Sequence, residues 1–507
     1  MNKCVVAVLT ALLALGSAFA AVEPKFVAMG QDLRLMMAKD FEKYAAQFDA
    51  TPYDGVCAYP RALLPGGGEL YVKNISHGPE WTDAAFADQI PVYRKLVAEH
   101  RAFKHLFFYG FRCPEQHIAW RDDATWARYA RNLGVLARFA KASGAKGILV
   151  DWEDYHKTLQ FTRQGTDPGY EDCKRLARQR GRELFGAIFR DFPDATVGFF
   201  WLLSEKRRYF HWQDPVVAAK LESDLWPSFV NGIYDALPPT VRMIEASENS
   251  YRYDYKTLDF HVAADEYRRR EQELLEPENR AKWKLQTEIG FSQYPDVLVR
   301  DPTEAWYIGP VAGSRLEHFR RNLSDAAELT DGYVFFWGER HPHVVLDDAL
   351  LNTQRLKDHR LVTWDTRLPG FYRTLAAVKD PEKGMRDRIA ELKAAGKLIN
   401  LARQGVTKQL IGGVEHGEWY AVGASVKGRH FFTSVSWFEH GEWLKRYEPM
   451  RLRFEPEDAN GVRHTLKLVK IPAGVDAFEV EARFHRPPEK PDWKFGEVFV
   501  YKLWPEK

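Results

Sequence analysis

A chain of 507 residues, 45% of them hydrophobic, can bury a large core and is too long for one ordinary domain, so two or three units are expected. Its 72 basic and 70 acidic residues leave a formal charge of +2. Such a balance provides no field to gather nucleic acid or an anionic membrane, and it favours a mostly neutral partner.

The amino terminus reads as a secretory signal over residues 1–20. Lys3 supplies the charge, residues 4–15 the apolar segment and Ala18-Phe19-Ala20 the small-x-small cleavage pattern. The segment is too short to span a bilayer, and no later stretch is apolar enough to do so, so a secreted or periplasmic protein is expected. Cleavage would leave Cys57, Cys113 and Cys173, an odd number that argues against a disulfide-dependent scaffold. At most one pair can form; Cys57 with Cys113 is the nearer couple, and free buried thiols are equally compatible. Their scatter shows no zinc pattern.

From Lys25 onward, short apolar runs alternate with longer amphipathic stretches, the pattern of βα units around a parallel sheet. The runs are 26–29, 55–59, 105–109, 147–150, 197–203, 241–246, 284–289 and 333–337. Eight of them predict a (β/α)8 TIM barrel over residues 21–363. Residues 364–403 read as a helical connector. Residues 404–507 alternate apolar with polar positions and predict a C-terminal antiparallel β-sandwich domain. Within that region Glu415-His416-Gly417-Glu418-Trp419 recurs as Glu439-His440-Gly441-Glu442-Trp443. The two copies are either exposed Trp platforms or similar hairpin turns whose Trp residues pack inward.

The most informative stretch is Lys-Gly-Ile-Leu-Val-Asp-Trp-Glu-Asp-Tyr at 146–155, an apolar strand that runs into three carboxylates around a Trp. Asp151 and Glu153 lie two apart, on one face of the chain, and Trp152 and Tyr155 offer flat surfaces to a sugar ring. Barrel enzymes carry reactive groups where strands end, so the candidates are Asp151, Glu153 and Asp154, then Glu205, Glu245, Glu248, Glu288 and Glu339. So many acids at one rim repel one another unless paired. Their chemical use is to hold one carboxyl protonated and another ionised, the arrangement that cleaves glycosidic bonds without metal or cofactor. Glu153 is the expected general acid, tuned by Asp151, with Glu288 or Glu339 favoured as the second carboxyl and Glu248, Asp154 or no true partner as the remaining alternatives. Glu248 and Asn249 are expected at a subsite with Trp152, Asp154, Tyr155 and Trp337. His341 and His343 lack a third clustered ligand and read as loop residues.

The string Gly147-Ile148-Leu149-Val150-Asp151-Trp152-Glu153 resembles the strand-four motif of chitinase-like (family 18) glycosidases. That resemblance implies Glu153 as the acid, Asp151 as its electrostatic helper and Trp337 as a sugar platform. Strand four paired with strand seven, as in the largest clan of retaining barrel glycosidases, points to Glu288. The order of Gly30-Gln31-Asp32, Asp54-Gly55-Val56, 151–155, 248–251 and 337–339 also resembles a group of exported, glycosidase-like bacterial barrel proteins. An exported glycoside hydrolase acting on a poly- or oligosaccharide is the leading expectation. A barrel that binds glycan without cleaving it, or a polysaccharide lyase, is the alternative.

Overall fold

A computed structural model describes residues 23–64, 67–347, 350, 362–428, 431–444, 450–451, 458–484 and 493–504. The expected signal segment lies outside these residues, as do parts of the region 404–507 in which β structure is expected.

The barrel strands are β1 (Lys25–Gly30), β2 (Gly55–Ala58), β3 (Phe107–Arg112), β4 (Gly147–Asp151), β5 (Thr196–Phe199), β6 (Arg242–Glu245), β7 and β8 (Tyr333–Gly338). Strand β7 comes in two pieces, Thr287–Ile289 and Phe291–Gln293, separated by Gly290. Its first piece pairs with β6 and its second with β8, while β8 also pairs with β1, all parallel. The sheet therefore closes on itself as an eight-stranded (β/α)8 barrel. The interior is filled by Phe107, Leu149 and Phe335, and Gly198 leaves the room they need: a Cβ there would lie 2.6 Å from Leu149 and 3.6 Å from Phe335. Since alternate residues share a face, Tyr109, Asp151 and Trp337 continue the inward rows of Phe107, Leu149 and Phe335 up to the carboxyl rim.

Two expected strands end elsewhere, for identifiable reasons. Strand five stops at Phe199 because the buried Glu245 carboxylate accepts the N–H groups of Leu202, Leu203 and Ser204 at 2.8–3.3 Å, turning the chain out of the sheet. Residues 284–286 belong to the helix Pro277–Gln286, whose Leu285 faces solvent with 77% exposure. The alternation of Leu285, Thr287 and Ile289 imitates a strand. The true strand starts at Thr287 and runs on to Gln293.

Outside the barrel, helix Tyr170–Asp191 meets helix Trp226–Ala236 backbone to backbone. A Cβ on Gly181 would lie 2.1 Å from the Phe229 carbonyl and one on Gly232 1.9 Å from that of Arg178, so only glycine fits either place. The helices Trp364–Arg367, Phe371–Lys379 and Pro381–Ala394 lead into an antiparallel β-sandwich. One sheet holds Lys408–Gly412, Ala477–Phe484 and Phe431–Glu439, and the other Val462–Lys470, Trp419–Lys427 and Lys494–Trp504. Between them lie Val422, Val435, Val480, Phe478 and Val500. Among the described residues Cys57, Cys113 and Cys173 are free and buried.

The sandwich docks on helix Arg315–Leu329 through a buried ionic seam. Glu317 accepts two hydrogen bonds from Arg320 (2.7 and 2.8 Å) and one from Arg321 (2.8 Å). The two guanidinium groups then reach the first copy of the repeated pentapeptide, Arg320 at the Gly417 carbonyl (2.9 Å) and Arg321 at the His416 carbonyl (2.9 Å). Trp419 of that copy is buried beneath Arg320, 4.8 Å from ring centroid to guanidinium, whereas Trp443 of the second copy is 47% exposed. The two copies thus take different roles.

Candidate active site

At the carboxyl rim a cavity of about 510 Å³ is lined by Asp151, Glu153, Glu248 and Glu339, with aromatic walls that include Tyr59, Tyr155, Trp201, Trp306 and Trp337. Four of the carboxyls singled out in the sequence are thereby brought to one space.

Asp151 ends β4 and is buried, at 7% exposure. The Tyr109 hydroxyl donates to one of its oxygens (2.9 Å) and the Glu153 backbone N–H to the other (2.9 Å). Burial raises the Asp151 carboxyl above its ordinary range, while these two donors and the charges of Arg112 and Arg34 pull it back toward the ionised form. Glu153 is exposed to the cavity. Its carboxyl is also raised, first by desolvation, with the neighbouring Asp151 charge adding to the rise. Glu248 follows β6 in a short 3-10 turn, Glu248–Arg252, and accepts from the Tyr251 hydroxyl at 3.0 Å. Burial and then the charges of Asp151 and Glu153 push it well above the usual carboxylate range. These three acids form one electrostatic group. Arg112, which tempers Asp151 and Glu153 through space, has its own ion pair with Glu115 at 3.8 Å.

Glu339 stands across the cavity after β8. It accepts from the Tyr294 hydroxyl (2.8 Å) and from the Trp337 indole (3.4 Å), and its backbone N–H donates to Asp296 (2.9 Å). Asp296 is fully buried behind it, and burial pushes its carboxyl up to about 7. The Tyr251 and Tyr294 rings stack at 5.1 Å and join the part of the wall that carries Glu248 to the part that carries Glu339.

Several expected site residues lie elsewhere. Glu288 opens β7 rather than closing it, so it sits toward the amino end of the barrel in a separate cavity of about 280 Å³, beside Asp331 and Lys284. Trp152 is not a sugar platform: its ring stacks on Trp226 at 4.2 Å, Lys206 lies 4.9 Å over it, and its indole N–H donates to the Trp201 carbonyl. Residue 152 alternates with the inward 151 and therefore points outward into the helix layer. Asp154 shapes the loop beyond, accepting from the N–H groups of Thr158 (2.9 Å) and Leu159 (2.7 Å). Asn249 donates to the Ser204 carbonyl at 3.3 Å and does not line the cavity. Glu205 is held by Lys206 at 2.7 Å, and Glu245 is spent on the turn after β5. His343 is buried, its Nε2 2.8 Å from the Met29 carbonyl. Asp32 and Asp54, from the longer resemblance, brace the backbone by accepting from the N–H groups of His343 and Phe26 (2.9 Å each).

Tyr109, Arg34, Arg112, Tyr294 and Trp306, none of them singled out in the sequence as site residues, also line the cavity, as does Tyr251 from the stretch that carries Glu248. Tyr109 shares the inward parity of Phe107 and was within reach, whereas Arg112 has the opposite parity and is brought opposite Asp151 by an irregularity between Tyr109 and Phe111. Arg34, Tyr294 and Trp306 come from segments between regular elements and leave no periodic signal.

The buried acids make a pH prediction. Glu245 is pushed up to about 7 by burial, its neighbour Glu271 well above the usual range by burial and the Glu245 charge, and Asp296 to about 7. A carboxyl raised on folding binds its proton more tightly in the folded chain than in the unfolded one. Its contribution is therefore complete below about pH 4 and is lost as pH rises through about 7. Thermal unfolding followed by fluorescence should give a melting temperature on the order of 5 °C lower at pH 8 than at pH 5, and Glu271→Gln should flatten that slope. A melting temperature that climbs steadily from pH 5 to 8 would contradict the burial of these acids.

No family model matches the chain, and no curated protein does. Among solved structures, a glycoside hydrolase family 5 protein from Bacteroides vulgatus is similar at 10% identity and a TM-score of 0.36, covering 92% of this chain and 91% of its own. A GH18 chitinase from Pseudoalteromonas aurantia is similar at 11% identity and 0.31, covering 62% and 93%. A D-psicose 3-epimerase from Clostridium cellulolyticum is similar at 10% and 0.34, covering 70% and 98%. Likenesses of this size carry no chemistry across, and the barrel with its acidic rim stands on the chain's own geometry.

Proposed function

We propose that the protein is a glycoside hydrolase acting on a poly- or oligosaccharide at the carboxyl rim of its barrel. One observation carries this reading: Asp151, Glu153 and Glu248, delivered by two different strands, meet as one electrostatic group in an aromatic-walled cavity. Glycosidic cleavage needs a carboxylic acid that keeps its proton near neutral pH beside a carboxylate that does not. Burial and the charges of Asp151 and Glu153 hold the Glu248 carboxyl toward its protonated form, so this reading assigns the donated proton to it rather than to Glu153. Asp151 is fixed by two donors and steadies positive charge developing at the anomeric carbon. Glu153, open to the cavity, is placed to attack that carbon or to activate water. The aromatic walls suit the apolar faces of sugar rings.

The intact protein incubated with a panel of neutral and acidic polysaccharides should release new saturated reducing ends from at least one of them. Glycan binding with no cleavage across the panel would make the barrel a capture protein, and unsaturated ends would make it a lyase.

A further inference from the structure

We propose that the wall built after strands β1 to β3 is a subsite for an anionic oxygen group, the carboxylate or sulfate of an acidic sugar, with Arg34 and Arg112 as its ligands. This rests on the carbohydrate reading above and names the substrate class.

Arg34 lies in the segment that follows β1. Its Nε donates to the Tyr71 hydroxyl (3.4 Å) and its Nη1 to the Gln31 side-chain carbonyl (3.0 Å), so both partners are neutral. Its guanidinium lies 5.8 Å from the Tyr59 ring. The Tyr59 hydroxyl is buried with no hydrogen-bond partner in a residue only 3% exposed, and its ring stacks on Tyr109 at 4.8 Å. Arg112, at the end of β3, keeps 12% of its side chain exposed, and its buried Nε–H has no acceptor. Glu115 is the carboxylate next to it at 3.8 Å, and the same Glu115 also faces Lys73 (3.7 Å) and His156 (3.5 Å). One acid thus serves three basic side chains. Arg34, Tyr59, Lys73, Arg112 and His156 all line the cavity.

Withdrawing the Arg34 guanidinium from water against neutral partners is costly unless a counter-charge arrives, and Arg112 has only the shared Glu115 carboxylate. The Asp151 charge is too far to fill that place by contact: it feels Arg112 and Arg34 through space, while its own oxygens are taken by Tyr109 and Glu153. A planar guanidinium matches a carboxylate or sulfate by paired N–H···O bonds. Glu248, which follows β6, lies across the cavity from this wall, so a sugar chain lying across it would set its anionic substituent on the β1–β3 wall and its scissile bond near Glu153 and Glu248.

Calorimetric titration of the intact protein with matched neutral, uronate-bearing and sulfated oligosaccharides tests this without relying on turnover. At least one anionic set should bind roughly tenfold or more tightly than its neutral counterpart. Arg34→Gln and Arg112→Gln should each weaken that binding by roughly tenfold to a hundredfold while changing neutral binding less than about threefold. Arg34→Lys, which keeps the charge without the planar pair of donors, should fall between, and the melting temperature of each variant checks that it folds. Preference for uronate or for sulfate assigns the group. Equal or tighter binding of the neutral set, or anionic binding unmoved by the arginine variants, overturns the subsite and leaves the hydrolase reading standing. Anionic binding without bond cleavage upholds the subsite and sinks the hydrolase reading, and a failure to bind any set overturns both.

Discussion

Glu248→Gln is expected to lower kcat on a natural glycan by roughly two to four orders of magnitude while leaving the fold intact. The amide keeps the shape of the side chain and can still accept from the Tyr251 hydroxyl, but it has no proton to donate. It also removes one of three mutually repelling acids, so the melting temperature should hold or rise. The role is read from the leaving group. A glycoside of a strongly acidic phenol departs without protonation, so on that substrate Glu248→Gln should lose less than about tenfold, whereas Glu153→Gln should lose activity on both substrates. If Glu248→Gln slowed the two substrates equally, the proton would belong to another carboxyl.

Glu317→Ala should be among the most destabilising single changes in the chain. Glu317 is 4% exposed and is the shared counter-ion of Arg320 and Arg321, which are 1% and 0% exposed. Removing it leaves two buried guanidinium groups leaning on the Gly417 and His416 carbonyls and on Glu415 and Glu418, which lie 3.2 and 3.8 Å from Arg321. Breaking a buried ionic group in this way costs about 3–5 kcal/mol, on the order of 10 °C in melting temperature. Asp387→Ala, at the exposed Lys383–Asp387 pair, serves as the contrast and should cost less than about 1 kcal/mol. Similar melting temperatures for the two variants would show that the seam is wetter than its geometry implies.

The barrel was legible in the sequence because most strands are short, apolar and buried on both faces, and because turn residues punctuate the runs. The reading of β4 succeeded for a specific reason: Leu149 faces the interior, which obliges Asp151 to face it too, one step higher at the rim. The same alternation explains the misplaced Trp152, whose parity sends it into the helix layer against Trp226. Glu288 was misread because Leu285 lies in register with Thr287 and Ile289 yet belongs to a solvent-facing helical turn, which moved the end of β7 by several residues. Glu248 ranked behind Glu288 and Glu339 as a second carboxyl because its raised carboxyl comes from burial and from the charges of Asp151 and Glu153, about a hundred positions away in the chain. Charge coupling of that kind has no local signature. The arginines of the cavity were silent for a related reason, since an Arg in an irregular segment looks the same whether it faces solvent or a ligand.

The twin pentapeptides illustrate how little spelling reveals about obligation. Both glycines have positive φ, +78° at Gly417 and +84° at Gly441. A methyl group on Gly441 would meet nothing within 4 Å, whereas one on Gly417 would press on the Arg321 side chain at 3.2 Å. The arginines grip main-chain oxygens there, so His416 could be exchanged for many residues without loosening their hold, and Gly417 for almost none. Of two identical words, one is a socket whose shape is owed to its neighbour, and the other is a bend in open water that keeps its glycine for the backbone alone.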